Sequence, residues 1–175
     1  MTGLERKSTK SPVAYRRPRL ADAAPVHALV EECKPLDLNS SYAYMLLCAH
    51  FPDTCAVAES EGDLVGFVSG YRKPGDRSVL FVWQVAVSPR ARGQGVARRL
   101  LDEIVARPEQ AAVRHVEATI TPSNRASWAL FYSFAKERGA ACARQTLFEE
   151  GDFGDQDHEP ELLLRIGPLD APRGA

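Results

Sequence analysis

Apolar residues recur at helical spacing at Val26, Leu29, Val30 and Cys33, and Pro35 closes that segment. Asp22 is placed to cap this helix, with Pro25 in its first turn. Ahead of it, Tyr15–Leu20 reads as a first strand. After Leu36-Asp37-Leu38, Asn39 or Ser40 can cap a second helix running to about His50. Three apolar runs then read as strands: Thr54–Glu59, Leu64–Tyr71 and Ser78–Val87. The turn signals Glu61-Gly62-Asp63 and Lys73-Pro74-Gly75-Asp76 separate them. A helix is predicted over Gly95–Ala106 and a strand over Arg114–Thr121. Another helix, capped by Ser123, runs through Lys136, and strands near Ala141–Phe148 and Glu161–Ile166 close the pattern. No internal repeat is visible. This is the order of an α/β protein.

Length and composition narrow the picture. The 175 residues suit one domain, expected over residues 13–168, with a flexible basic tail at 1–12 and a flexible tail at 169–175. A hydrophobic fraction of 45% and a charged fraction of 26% are ordinary for a globular protein. The net charge of −1 argues against a nucleic-acid partner, which calls for a basic surface. No apolar run approaches the roughly 20 residues of a membrane helix, so no membrane partner is expected. The basic start lacks the apolar core of a signal peptide, and a cytoplasmic location is expected. Cys33, Cys48, Cys55 and Cys142 form no Cys-x-x-Cys pair. Cys48 and His50 are two apart, on different faces of a helix, so buried or half-buried free thiols are expected and no metal site.

The chemistry concentrates between Val82 and Leu101, where a β-branched strand meets a glycine-bearing basic turn and then a helix. A helix N-terminus gathers unpaired N–H groups and the positive end of the macrodipole. Gly93 and Gly95 remove side chains that would hold a phosphate away from those amides. The local expectation is a pyrophosphate cradle, with Arg92, Arg98 and Arg99 adding charge. An ordinary strand–turn–helix connection, with glycines serving only the turn, is the plainer alternative. The spacing excludes the phosphate loop of nucleotide hydrolases, because no Lys-Ser/Thr pair follows Gly95. Arg98 likewise breaks the dinucleotide fingerprint Gly-x-Gly-x-x-Gly.

Arg90-x-x-Gly93-x-Gly95, after a Val-x-Val strand and before Ala97-x-x-Leu100-Leu101, resembles the signature of the GNAT superfamily of acetyl-CoA-dependent N-acetyltransferases. The element order is also that of the GNAT acyltransferase fold, a mixed, mostly antiparallel central sheet flanked by helices. The resemblance implies acetyl-CoA as co-substrate, held by Val85, Val87, Arg92, Gly93, Gln94, Gly95, Val96, Ala97, Arg98 and Asn124. Asn124-x-x-Ser127 followed by Leu130-Phe131-Tyr132 is similar to the family's later motif near the coenzyme thiol. Here the chain departs from the pattern: Phe131 stands where the family has Tyr, and Tyr132 comes one residue later. One residue is about 100° of helix rotation, so Tyr132 is either the proton donor to the thiolate or a packing residue. Asn124 either contacts the pantetheine arm or bonds local backbone in the helix first turn.

Four separated segments carry a narrower resemblance. Pro35-Leu-Asp37-Leu-Asn39-Ser-Ser-Tyr42-Ala-Tyr44, Phe81-Val-Trp83-Gln84-Val85-Ala86-Val87, Thr119-Ile-Thr121-Pro-Ser-Asn124-Arg-Ala-Ser127 and His158-Glu-Pro-Glu161-Leu-Leu-Leu-Arg-Ile-Gly167 look like the L-2,4-diaminobutyrate acetyltransferases of ectoine biosynthesis. The match covers roughly Val13 to Pro168. It implies acetyl transfer to the γ-amino group of L-2,4-diaminobutyrate in a homodimer. It also implies Asp37, Tyr42, Trp83, Thr119 and Glu161 as substrate-binding residues, with His158, Glu161 and Tyr132 catalytic.

The residues themselves leave alternatives open. Seven acids and no Lys or Arg lie between Glu149 and Glu161: either an acidic wall that attracts an amine or a solvated loop. Trp83 either presses on an ammonium group or fills the core. Asp37 either binds substrate or caps the helix behind Leu38. Acetylation of another small amine, or a non-catalytic acyl-CoA sensor, are the competing functions.

Overall fold

One strand turns its side chains over part-way along and so decides the architecture of the site. The computed structural model describes residues 12–170. The elements are β1 Ala14–Arg16, α1 Ala23–Glu32, α2 Ser41–His50, β2 Ala56–Ser60, β3 Asp63–Lys73, β4 Asp76–Val87, α3 Val96–Val105, β5 His115–Ile120, α4 Arg125–Glu137, β6 Cys142–Phe148 and β7 Glu161–Ile166. They form one seven-stranded sheet in the order β1-β2-β3-β4-β5-β7-β6. Only β4 and β5 run parallel; every other pair is antiparallel.

Each face of the sheet carries its own core. Val96, Leu100, Leu101 and Ile104 of α3 join Phe131, Phe134 and Ala135 of α4 over Leu80, Val82, Val116, Ala118, Leu164 and Ile166. On the other face, Val26, Leu29 and Val30 of α1 meet Tyr44, Leu47 and Cys48 of α2 over Val57, Phe67 and Ala86. Strand β4 therefore serves both cores: Val82 faces α3 and α4, whereas Ala86 faces α1 and α2. A bulge makes this possible. Val82 pairs with Gly70 and Gln84 with Ser69, leaving Trp83 unpaired, so the pleat changes phase there.

Several local expectations need correction. The first strand ends at Arg16 rather than Leu20, because Pro18 has no N–H for a ladder and the Arg16 guanidinium turns to Asp22 at 2.7 Å. The Asp22 side chain does not cap α1. It accepts from the Arg19 N–H and the Arg16 guanidinium, and that ion pair holds its carboxyl below the usual range. Ser40 caps α2, accepting from the Ala43 N–H at 3.2 Å. Asn124, not Ser123, caps α4. Residue 169 does not belong to a tail: Leu169 is buried and its N–H donates to the Arg114 carbonyl. Of the expected tails, residues 1–11 and 171–175 lie outside the described residues. Cys142 is exposed, whereas Cys33, Cys48 and Cys55 are buried as expected.

Candidate active site

The β4–β5 pairing runs from Val79/His115 to Val82/Ala118 and stops there. Past that point β4 continues as Trp83–Val87 with β3 on one side and an opening on the other. The Gln84 N–H bonds the Ser69 hydroxyl and the Ser88 N–H bonds the Val65 carbonyl, both on the β3 side. Because backbone groups alternate along a strand, the N–H groups of Val85 and Val87 face the opening. These donors can meet the amides and the thioester oxygen of an extended acyl chain.

The cradle lies where β4 runs into α3. Gly93 and Gly95 have φ of 70° and 74°, left-handed conformations that disfavour other residues. A Cβ at either would enter open space, so the room above these amides is free for a phosphate. No side chain caps α3 at Gly95, which leaves its first-turn N–H groups, from Val96 to Arg98, to an outside acceptor. The basic side chains are arranged unequally. Arg98 is paired with Glu137 and Asp102, so it offers the cradle its backbone rather than its charge. Arg92 is exposed and donates from Nε to the Val87 carbonyl at 3.1 Å. Gln94 donates to the Arg90 carbonyl and pins the turn.

Across the opening, the pleat of β5 and β7 places Thr119 and Glu161 on the face that carries α1 and α2. Glu161 is partly buried, and its Oε2 is buried without a partner. Burial pushes its carboxyl upward, as do the charges of Asp37 and Glu159, while the Thr119 hydroxyl and His158 pull it down. His158 Nε2 stands 3.9 Å from Glu161 Oε1. Its Nδ1 is 2.6 Å from the Glu159 carbonyl, which can only accept, so Nδ1 carries the proton and a neutral ring has its lone pair on Nε2. Stacking on Phe153 at 3.9 Å fixes the ring plane. Thus Asp37, Thr119, His158 and Glu161, spread over 125 positions of sequence, converge on one place.

This chain spans most of the length of the relatives it matches. The acetyltransferase (GNAT) family model matches residues 23–135. L-2,4-diaminobutyric acid acetyltransferase of Bordetella parapertussis is 52% identical over 158 residues, covering 90% of this chain and 85% of the relative. The enzyme of the same name from Chromohalobacter salexigens is 48% identical over 164 residues, covering 93% and 85%. The diaminobutyrate acetyltransferase of Paenibacillus lautus, solved with its substrate L-2,4-diaminobutyric acid and coenzyme A, superposes with a TM-score of 0.88 at 42% identity, covering 94% of this chain and 99% of that one. The chain belongs to the L-2,4-diaminobutyric acid acetyltransferases of the GNAT family. It is an acetyl-CoA-dependent N-acetyltransferase with the GNAT fold.

Within this diaminobutyrate acetyltransferase frame the remaining candidates divide. Trp83 is the bulged residue and 48% exposed, so it is not a core tryptophan. Tyr42, in the first turn of α2, is 66% exposed. Tyr132 is exposed and stacks on Trp128, while Phe131 is buried in the core. Asn124 Oδ1 accepts from the Ser127 N–H at 3.1 Å, so its oxygen serves as the helix cap while its amide N–H groups remain for a ligand.

Sequence reasoning did not single out Gln84, Tyr44, Ser123 or Glu159 as site residues. Gln84 and Tyr44 are buried polar side chains bonded to each other. The Ser123 N–H and hydroxyl both donate to the Glu159 carboxylate, tying the acidic segment to the start of α4. The available signal was a lone amide within the apolar run of β4, since a buried amide must find partners.

Proposed function

We propose that the protein transfers the acetyl group of acetyl-CoA to the γ-amino group of L-2,4-diaminobutyrate, giving N-γ-acetyl-diaminobutyrate and CoA on the way to ectoine. One observation carries this reading beyond family membership. Glu161 Oε2 is buried and unpartnered beside two further carboxylates, those of Asp37 and Glu159. Among the described residues no Lys or Arg pairs with these carboxylates, and a diamino acid supplies ammonium groups that relieve them.

The roles follow from the geometry. The γ-ammonium, with a pKa of about 10 by analogy with Lys, must lose a proton before it can attack. His158, with its lone pair on Nε2, takes that proton and passes it towards the acidic segment and solvent. Glu161 and Asp37 hold the substrate's ammonium groups, with Thr119 beside Glu161 and Tyr42 and Trp83 as aromatic walls. The freed amine attacks the thioester carbonyl directly, and the Val87 N–H, supported by that of Val85, meets the oxyanion. The departing thiolate takes a proton from Tyr132, and the second proton lost from the attacking nitrogen as the amide forms returns to the Tyr132 oxygen through solvent. The net change is one ammonium and one thioester converted to an amide, a thiol and one proton. Gly93, Gln94, Gly95, Val96 and Ala97 hold the pyrophosphate through their amides, with the Arg98 N–H and Arg92 at the margins, and Asn124 meets the pantetheine arm.

We place the enzyme in the cytoplasm as a homodimer. Free Cys33, Cys48, Cys55 and Cys142 suit a reducing compartment, and no helix among the described residues is long and apolar enough to cross a membrane. β6 is a sheet edge with all seven residues exposed, including Leu147 and Phe148, an arrangement that favours a covering partner. The deciding experiment is thiol release from acetyl-CoA with L-2,4-diaminobutyrate, ornithine, polyamines and peptide lysines. Faster turnover of another amine overturns the substrate, and no turnover with any of them favours the acyl-CoA sensor.

A further inference from the structure

Between α1 and α2 the chain from Lys34 to Ser40 belongs to no helix or strand, yet it carries Asp37 to the site. Such a segment holds a carboxylate in place only if something fixes its backbone. Two bonds do so. Gln84 Nε2 donates to the Asp37 carbonyl at 2.7 Å, and the Asn39 N–H donates to the Tyr44 hydroxyl at 3.2 Å. The Tyr44 hydroxyl in turn donates to Gln84 Oε1 at 3.2 Å and closes the chain. Both anchors are deep in the protein: Gln84 is 4% exposed and Tyr44 fully buried, its ring edge-on to His27 and Phe67.

Gln84 is the residue after the bulge, and its strand neighbours Val85 and Val87 present their N–H groups to the opening. The amide thus ties the amine-recognition segment to the strand that receives the acyl group. The primary amide of Gln84 donates to a carbonyl and accepts from a hydroxyl at once.

We propose that Gln84, held by Tyr44, is a positioning and specificity-determining residue that sets the distance between the Asp37 carboxylate and the acyl-receiving edge of β4. That spacing must match the separation of the two amino groups in the acceptor, so the pair measures chain length. A rigid spacing discriminates against an extra methylene, and a loose one does not. This rests on the reaction proposed above. The thiol-release panel on the unaltered enzyme tests that reaction, and the variants below test the ruler.

The experiment compares steady-state kinetics of the full chain and its Gln84→Leu and Tyr44→Phe variants, with L-2,4-diaminobutyrate and with ornithine, one methylene longer. Gln84→Leu leaves the Asp37 carbonyl without its donor. The KM for diaminobutyrate should rise about 10-fold, the KM for acetyl-CoA should stay within about twofold, and the preference for diaminobutyrate over ornithine should fall severalfold. Tyr44→Phe, which keeps the buried ring, should move the same quantities in the same direction by less. It carries the test by itself if Gln84→Leu does not fold. Parallel losses for both acceptors with an unchanged preference would assign Gln84 a purely structural part and overturn the proposal, as would unchanged kinetics in folded variants.

Discussion

In the function proposed above, the coenzyme cradle and the acceptor site flank one opening but are built in opposite ways. The cradle is a contiguous run from Val85 to Arg98, and its working parts are backbone amides shaped by Gly93 and Gly95. The acceptor site is assembled from side chains on the α1–α2 connection, β4, β5 and β7, and its working parts are charges. The cradle meets a phosphate with neutral dipoles and a helix end that need no partner to be stable. The acceptor site holds like charges together and is relieved only when a cation arrives. One side of the reaction therefore depends on conformation, the other on electrostatic complementarity.

The largest expected effect separates the two sides through charge. In the double variant Asp37→Asn/Glu161→Gln, the KM for diaminobutyrate should rise on the order of 100-fold or more, since charged hydrogen bonds each contribute roughly 1.5–3 kcal/mol. The KM for acetyl-CoA should stay within about twofold. Steady-state kinetics with each substrate varied in turn gives both numbers, and an equal rise in the two would erase the distinction.

Gly93→Val/Gly95→Val attacks the other side. Each substitution opposes a left-handed backbone, at a cost of about 1–2 kcal/mol, and puts side-chain bulk into the cradle. Titration calorimetry should show acetyl-CoA affinity falling about 10- to 100-fold. The KM for diaminobutyrate, measured at saturating coenzyme, should hold. Unchanged coenzyme affinity would remove the phosphate from this turn.

Tyr132 is the proposed proton donor to the thiolate, and Tyr132→Phe should lower kcat about 10-fold with both KM values unchanged. Packing against Trp128 survives in the Phe side chain, so a loss in kcat isolates the hydroxyl. An unchanged kcat would assign the thiolate's proton to another donor.

The smallest effect is in pH dependence. Burial raises the Glu161 carboxyl, so its charge is lost at a higher pH than that of an ordinary glutamate. On acidification the KM for diaminobutyrate should therefore begin to rise above the usual carboxylate range, and Glu161→Gln should abolish that limb. The sign for stability is opposite to that of a paired acid. The folded state holds this proton more tightly than the unfolded chain, so the contribution is favourable at low pH and declines as pH rises through the folded value. Thermal melts at pH 8 should accordingly show Glu161→Gln no less stable than the parent; a marked drop in Tm would mean that the carboxylate is paired within the protein.

Local signals predicted most of the fold. The helical spacing of Val26, Leu29 and Val30, the turn at Pro74-Gly75 and the glycines before α3 act within a few residues, and all lie where expected. Boundaries failed where a tertiary partner overrode a local preference. Asp22 left the cap for the Arg16 guanidinium, and Ser123 gave up its cap for Glu159. Leu169 joined the core through the Arg114 carbonyl.

By itself the sequence determined the α/β element order, the glycine turn between β4 and α3 and, through four separated segments, the family. These features are written either in neighbouring residues or in residue types that survive being read one at a time. Tertiary structure alone decided that β4 changes face at Trp83, that Gln84 and Tyr44 hold the Asp37 segment, and that Arg98 turns its charge to Glu137. It also decided that Glu161 is buried beside Asp37, although 124 positions separate them. Burial and charge proximity are properties of distance in space, and a carboxylate acquires its raised proton affinity only after the chain has folded around it.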